Sequence, residues 1–240
     1  CSLDQEKLFS TDHLALYDRE GNSLAEGEIH GQNGGYPIAI ALSNDAVKLA
    51  VSMININEGS VKSTIAFYNY GTVGQNEIDH CVGVNNYDDM VIPEMEFTSN
   101  DRMVAFGDTK AVIFEGAQKP QAIAEIPMDE KTKSIFYNEH YIGIVTGNED
   151  EAVTNHLAVY DENGKLVMEK DFGLDYSSIE FLTNNEICIR NANVCDIYTV
   201  HGVYKFHHEF EEELFEIIPG KLKLNYTLVL KDTTQRIRLK

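Results

Sequence analysis

The segment Leu157-Ala158-Val159-Tyr160-Asp161-Glu162-Asn163-Gly164-Lys165 decides the fold, because variants of it recur along the whole chain. Each copy is a short apolar run that ends on a Tyr or Phe and leads into a polar turn. The aromatic positions of the five copies are Tyr17, Phe67, Phe114, Tyr160 and Tyr198. Their spacings of 50, 47, 46 and 38 residues are typical of a β-propeller, in which each repeat forms one blade.

A second recurring element precedes these copies and completes the repeat. It consists of an apolar strand, a tight polar turn and another apolar strand, as in Ile38–Leu42, Ser43-Asn44-Asp45 and Val47–Val51. Asn, Asp, Gly and Pro dominate these turns, and their local chemistry reverses a chain tightly. The repeat therefore predicts four short strands, a to d, and an all-β protein.

The repeats predict one WD40-like β-propeller domain over residues 1–240, with about five blades of roughly 45 residues each. The predicted units are a half-blade at 1–30, blades at about 36–78, 93–126, 133–172 and 177–210, and an incomplete blade at 214–240. The two ends predict a shared final sheet, with 236–240 pairing with a strand from the first 30 residues. The alternative is a larger seven- or eight-bladed parent with further blades upstream.

Charge and hydropathy exclude two classes of partner. The chain has 39 acidic and 19 basic residues, a formal net charge of −20. Such a field repels a polyanion, so we predict no nucleic-acid partner. No stretch reaches the roughly 18 apolar residues of a membrane-spanning helix, so we predict no membrane insertion by this chain.

The places where the repeats vary predict a binding rim. The long insertions fall between strands b and c, at Ile54–Lys62 and Gly147–His156, or between strands d and a, at Asp79–Val91. In a propeller these connections emerge on one rim, and insertions concentrated on one face usually mark a binding face. The acidic residues of this predicted rim for a protein or peptide partner are Asp88, Asp89, Glu149, Asp150 and Glu151. The alternative is that loops vary wherever they are tolerated.

Motifs that carry chemistry are missing from the sequence. It contains no Gly-x-Ser-x-Gly elbow, no phosphate-binding glycine loop and no zinc-ligand spacing, and it has no Trp. We therefore predict no catalytic residues, no cofactor and no metal site. The alternative is a propeller hydrolase or lyase with an acidic site at the channel mouth, for which strand a offers Glu94, Glu96 and Glu180.

Two of the four cysteines fall in one predicted hairpin. If its tip is Asn191-Ala192, Cys188 and Cys195 are direct cross-strand neighbours. The pair then forms a disulfide in an oxidising compartment or stays as two buried thiols.

Two stretches carry a resemblance to a known family. They are Val61-Lys62-Ser63-Thr64-Ile65-Ala66-Phe67-Tyr68-Asn69-Tyr70-Gly71-Thr72-Val73-Gly74-Gln75 and Lys133-Ser134-Ile135-Phe136-Tyr137-Asn138-Glu139-His140-Tyr141-Ile142-Gly143. With Gly35-Tyr36-Pro37 and Ser43–Leu49, they resemble domain of unknown function 5711, a family of membrane-anchored propeller proteins from Gram-positive bacteria. The resemblance implies the C-terminal portion of an extracytoplasmic propeller at a bacterial membrane. It supplies no catalytic residues.

Overall fold

The fold is taken from a computed structural model of the chain. It describes residues 7–9, 13–17, 20–28, 35–57, 59–71, 80–128, 131–147, 154–222 and 224–238. The described residues contain 22 β-strands and no α-helix. The chain divides into two compact units, Cys1–Glu130 and Lys131–Lys240, and each is described by itself.

The first unit contains eleven of the described strands in three sheets. They are β1 (Lys7–Phe9), β2 (His13–Tyr17), β3 (Ser23–Glu28), β4 (Tyr36–Leu42), β5 (Lys48–Asn57), β6 (Ser60–Asn69), β7 (Cys81–Asp88), β8 (Glu94–Ser99), β9 (Arg102–Phe106), β10 (Lys110–Glu115) and β11 (Gln121–Pro127).

The second unit contains the other eleven, also in three sheets. They are β12 (Thr132–Tyr137), β13 (Tyr141–Gly147), β14 (Asn155–Asp161), β15 (Leu166–Phe172), β16 (Ser178–Phe181), β17 (Ile187–Arg190), β18 (Val194–Tyr198), β19 (Tyr204–Glu209), β20 (Leu214–Pro219), β21 (Asn225–Leu230) and β22 (Thr234–Arg238).

Every described sheet is an antiparallel meander in which each strand pairs with its neighbours in sequence. Four sheets have four strands, and the first and last sheets, β1-β2-β3 and β20-β21-β22, have three. This arrangement confirms the all-β propeller with about five blades. The N-terminal sheet contains β1 beyond the two strands predicted for the half-blade. The predicted pairing of 236–240 with the first 30 residues stays a prediction, as does a single domain over 1–240.

The recurring aromatic pair of strand c lies opposite a β-bulge in strand d, where one residue, such as Val167 of β15, has no partner in the register. In all five copies the register between strands c and d shifts at this pair, for example between Val159 and Tyr160. The equivalent shifts lie at Leu16/Tyr17, Phe67/Tyr68, Ile113/Phe114 and Ile197/Tyr198. Tyr68, rather than Phe67, therefore occupies the repeat position in the first complete blade. A bulge adds a residue to one strand and strengthens the local twist, so the motif shapes each blade.

The core lies between successive sheets within each unit. In the first unit, Phe67 of β6 packs against Phe114 of β10, with ring centroids 5.1 Å apart. In the second unit, Phe136 of β12 packs against Phe181 of β16 at 4.6 Å. Buried side chains of this kind stabilise a fold by about 1.5–3 kcal/mol each, so the stacking of blades supplies much of the stability.

Two of the predicted insertions in the first complete blade are strands. Residues 54–57 lie in β5 and residues 60–62 lie in β6, and the two strands pair as far as Asn57 and Ser60. Cys81–Asp88, predicted as part of a connection, forms strand d (β7), which pairs with β6 along its length. The predicted end of this blade at residue 78 is therefore wrong. Its Asn and Asp residues are typical of a loop. They occur in a strand here because β7 is the half-exposed edge strand of its sheet.

The Asn-rich a–b turns also connect neighbouring blades. Asn138 accepts hydrogen bonds from the backbone N–H groups of His140 and Tyr141, both at 2.9 Å, and its amide donates to Asn185 at 2.8 Å. Asn185 lies in the equivalent turn of the next blade. Asn138 therefore closes its own turn and also hydrogen-bonds to the a–b turn of the next blade.

Candidate binding surfaces

The β5–β6 hairpin is the longest in the described residues. Each of its strands has ten residues, whereas the equivalent strands β9 and β10 of the next blade have five and six. The extra residues, 54–57 and 60–62, are paired in continuous register, which makes them a ribbon rather than a loop. We call residues 54–62 the long hairpin.

One face of the long hairpin is apolar and exposed. Tyr36 pairs with Ile54 across β4 and β5, and Ile56 follows two residues later, so the three side chains share a face. Tyr36 is 66% exposed and Ile56 is 69% exposed. Large apolar side chains grouped in this way on a surface are typical of an interaction site.

The chain approaches the long hairpin closely at Gly35. A Cβ atom there would lie 2.2 Å from the carbonyl oxygen of Ile54, and the backbone φ is +90°. Only glycine meets both conditions without strain. Gly35 therefore places Tyr36 beside the hairpin.

Two of the predicted rim residues lie at the end of β7, beside the long hairpin. Asp88 pairs with Lys62, with 3.2 Å between carboxylate and ammonium, and both side chains are exposed. Asp89 has a φ of +52°, and its carboxylate accepts a 3.3 Å hydrogen bond from Ser60. Glu149, Asp150 and Glu151 lie outside the described residues. A binding role for these five residues stays a prediction.

Cys188 and Cys195 are close, but in a different register from the one predicted. Cys188 faces Ile197 and Cys195 faces Arg190, so the prediction of direct cross-strand neighbours is wrong. The Asn191 side chain accepts hydrogen bonds from the N–H groups of Asn193 and Val194 at 3.0 and 2.9 Å. These bonds shift the tip of the β17–β18 hairpin one residue along the chain from the predicted position.

The two cysteines are diagonal neighbours on one face. Both are free thiols with their sulfur atoms 3.6 Å apart, and both side chains are fully buried. The hydrogen bond with Cys195, together with burial, raises the pKa of the Cys188 thiol far above its ordinary range.

The acidic residues of the alternative enzyme hypothesis lie on two strands. Glu94 and Glu96 are on β8 in the first unit, and Glu180 is on β16 in the second unit, 3.5 Å from Arg190. Within the described ranges, no group of three or more His, Cys, Asp or Glu side chains is arranged to hold a metal ion. The described residues include no helix long and apolar enough to cross a membrane. The enzyme alternative stays a hypothesis.

The bulge in strand d places Lys205 in a network that the sequence did not predict. The register shift leaves Lys205 as the extra residue of β19. Its ammonium donates hydrogen bonds to Glu186 and, at 3.1 Å, to the Tyr226 hydroxyl, which itself donates to Glu186. Glu186 and Tyr226 are buried. Burial opposes the charge of Lys205, but its hydrogen bonds outweigh this effect and raise its pKa.

An open cavity of about 560 Å³ lies on the C-terminal sheet and is rich in basic side chains. Its lining includes Lys221, Leu222, Asn225, Thr227, Arg236 and Arg238. We call this the basic cleft. The sequence contains a signal for it, since residues 221–240 hold six of the 19 basic residues and one acidic residue. The overall charge of −20 masks this local excess of basic residues.

Similar solved structures are propellers at low sequence identity. Hsv2 from Kluyvelomyces marxianus has a TM-score of 0.56 at 9% identity, covering 97% of this chain and 68% of that one. The Pan2 WD40 domain from Neurospora crassa has a TM-score of 0.52 at 6% identity, covering 96% and 70%. Hsv2 from Kluyveromyces lactis has a TM-score of 0.52 at 9% identity, covering 99% and 71%. These likenesses show the fold.

Sequence comparison places the chain in a family. No curated protein matches it significantly. The model of a family of unknown function, DUF5711, matches residues 6–239, nearly the whole chain. The chain therefore belongs to the DUF5711 family, a family of unknown function.

Proposed function

We propose that this protein is a non-enzymatic binding scaffold that holds a protein or peptide partner on the rim formed by the long hairpin and Asp88 and Asp89. The single observation that carries the proposal is the apolar face formed by the exposed Tyr36 and Ile56 with the half-buried Ile54 between them. Propellers serve many functions, so the fold alone does not choose among them. The exposed apolar face of the long hairpin supports a binding role.

The chemistry of this rim suits a protein partner. Tyr and large aliphatic side chains provide the desolvated centre of many interfaces, and charged residues around them form the polar border. Here Tyr36 and Ile56 supply the apolar centre on one face of the strands, and the exposed Lys62–Asp88 pair supplies charge on the opposite face. A rigid ribbon also loses little conformational entropy on binding.

The proposed location is the extracytoplasmic face of a bacterial membrane. It rests on the family resemblance, which implies a membrane-anchored protein of Gram-positive bacteria. Protease treatment of intact cells tests it: cleavage of the protein from whole cells is expected, and full protection would contradict the proposal.

Selection of binding peptides tests the function. A displayed random-peptide library is panned on the immobilised chain, and enriched peptides are measured against the double variant Tyr36→Ser/Ile56→Asp. We expect Kd to rise at least about tenfold, because truncating central interface residues typically costs more than 1 kcal/mol. Replacing Glu149, Asp150 and Glu151 together by Ser tests the rest of the rim. The melting temperature should change little, because solvated charges contribute little.

Val203→Asp is the matched control, because Val203 is an exposed apolar residue outside the rim. It should leave Kd unchanged. Peptides that bind the double variant and the native chain equally well would show that the long hairpin is not the binding surface. A catalytic role would instead require turnover of a substrate by the native chain.

A further inference from the structure

The edge of the C-terminal sheet has a regular pattern of outward backbone groups. The N–H of Leu230 donates to the carbonyl of Thr233 at 2.9 Å, which marks a hydrogen-bonded pair at the β21–β22 turn. Hydrogen-bonded and non-hydrogen-bonded pairs alternate along antiparallel strands. With the observed register, the N–H and C=O groups of Thr234, Arg236 and Arg238 therefore point away from β21.

The side chains of the same residues form the basic part of this edge. Ile237 faces the core, and Arg236 and Arg238 lie on the opposite face, where both are exposed. Within the described part of the chain, neither Arg has an ion pair or a side-chain hydrogen bond, and β22 pairs with β21 alone. Alternate residues of one strand thus present both backbone hydrogen-bonding groups and positive charge.

The basic cleft adjoins this edge. Arg236 and Arg238 line it together with Lys221 and Leu222, and Leu222 is 72% exposed. Charged residues on an edge strand can serve merely to discourage strand pairing. A cleft that combines three cations with an exposed leucine goes beyond that protective role, because it also offers contacts to a ligand.

We propose that β22 accepts an acidic, extended peptide as an added strand, with carboxylates at alternate positions facing Arg236 and Arg238. Strand addition to a sheet edge gains affinity from main-chain hydrogen bonds and specificity from alternate side chains. Opposite charges directly across paired strands add about 0.2–1 kcal/mol per pair. The site lies in the second unit and is independent of the long hairpin.

Charge selects this partner over a second copy of the chain. Two β22 edges paired with each other would bring Arg236 and Arg238 of both copies together, and like charges across strands are destabilising. An acidic peptide is drawn to the local positive charge of residues 221–240, although the whole chain carries −20. The attraction should therefore be local and weaken with added salt.

Residue-resolved amide exchange of the full chain tests the proposal. The probe is a synthetic peptide of roughly eight residues with Glu at alternate positions and Thr or Val between them. In the free chain, the amides of Thr234, Arg236 and Arg238 should exchange fast. The peptide should slow them at least about tenfold. The amides of Gln235 and Ile237 point toward β21 and serve as the internal control.

Two variants separate strand addition from charge attraction. A peptide of the same charge, N-methylated at the amides that would face β22, should lose binding because it lacks the main-chain donors. Arg236→Glu/Arg238→Glu should weaken binding of the original peptide at least about tenfold. Lys119→Glu/Lys165→Glu changes the net charge equally at exposed positions elsewhere and should have a much smaller effect.

Four results would overturn the proposal. Slow exchange of the Arg236 and Arg238 amides in the free chain would mean that a segment of the same chain or a second copy already occupies the edge. If the N-methylated peptide bound as tightly as the original peptide, charge attraction alone would explain the binding, without strand addition. Unchanged affinity in the double Arg variant would place the peptide elsewhere. Failure of the acidic peptide to bind would remove the site.

Discussion

The Cys188 thiol shows how one buried residue couples stability to pH. Its hydrogen bond with Cys195, 3.6 Å away, and its burial raise its pKa above the ordinary value of 9.0. The folded chain therefore keeps the thiol neutral where the unfolded chain ionises it. The unfolded state then binds fewer protons, so stability falls as pH rises above about 9.

We expect the free energy of unfolding, measured in urea, to be lower at pH 10.5 than at pH 8. The variant Cys188→Ala/Cys195→Ala should show a shallower decline, because it removes the raised thiol but keeps the tyrosines. Burial also raises the pKa of Tyr198 to about 12, so some decline should remain. An identical pH dependence in the variant and the native chain would exclude the thiols as its cause.

Removing the Lys205 cation alone should cost more stability than removing the charges of both Lys205 and Glu186. Lys205→Met leaves the buried Glu186 carboxylate without its cation, and an unsatisfied buried group costs about 1–3 kcal/mol. Lys205→Met/Glu186→Gln should recover most of that loss, because no unpaired charge remains. Urea unfolding of the two single variants and the double variant forms the double-mutant cycle. Strictly additive losses would show that the two residues do not interact.

At the scale of the element, the packing of β13 against β12 depends on a glycine. A Cβ atom on Gly143 would lie 2.2 Å from the Phe136 ring, which packs on Phe181. Gly143→Ala should therefore lower the free energy of unfolding by about 1–3 kcal/mol through overpacking. In the Phe136→Leu background, Gly143→Ala should hardly change the free energy of unfolding, because the smaller side chain leaves room for the Cβ atom. An equal loss in both backgrounds would point to backbone strain instead.

The a–b turn offers a test of how blades are joined. Asn138→Ala removes the acceptor for two backbone N–H groups and the contact with Asn185, so a loss of about 1–2 kcal/mol is expected. Asn138→Asp keeps the acceptor and should cost much less, since Asn185 can turn its amide to donate. Thermal melting compares the two variants. Equal losses would mean that the side chain does not close the turn.

At the scale of the whole molecule, the charge of −20 opposes compactness. Self-repulsion destabilises a compact chain and is screened by salt. Raising NaCl from about 20 to about 200 mM should therefore increase the melting temperature by a few degrees. Sodium sulfate at equal ionic strength separates screening from preferential exclusion. A melting temperature that is unchanged or falls would mean that local ion pairs outweigh the net charge.

The sequence by itself determined the all-β class, the blade repeat and the a–b turns, because each depends on a pattern within a few neighbouring residues. The Tyr/Phe motif of strand c, for example, lies opposite the bulge in strand d in each of its copies. Turn residues such as Asn138 likewise act on amides two and three residues away. Local chemistry of this kind can be predicted from the chain alone.

Only the tertiary structure decided the register at Cys188, the strand at Cys81–Asp88, the Lys205 network and the basic cleft. The register follows from a single side chain, Asn191, that moves the turn by one residue. The strand β7 has a polar composition and is ordered by pairing with β6. Lys205 meets Tyr226 across two sheets, and the cleft depends on which edge stays open. The Lys205 network and the pairing of β7 join residues distant in sequence, so no local pattern encodes them. The register at Cys188 and the basic excess of 221–240 have local signals, but only the folded sheet shows what they produce.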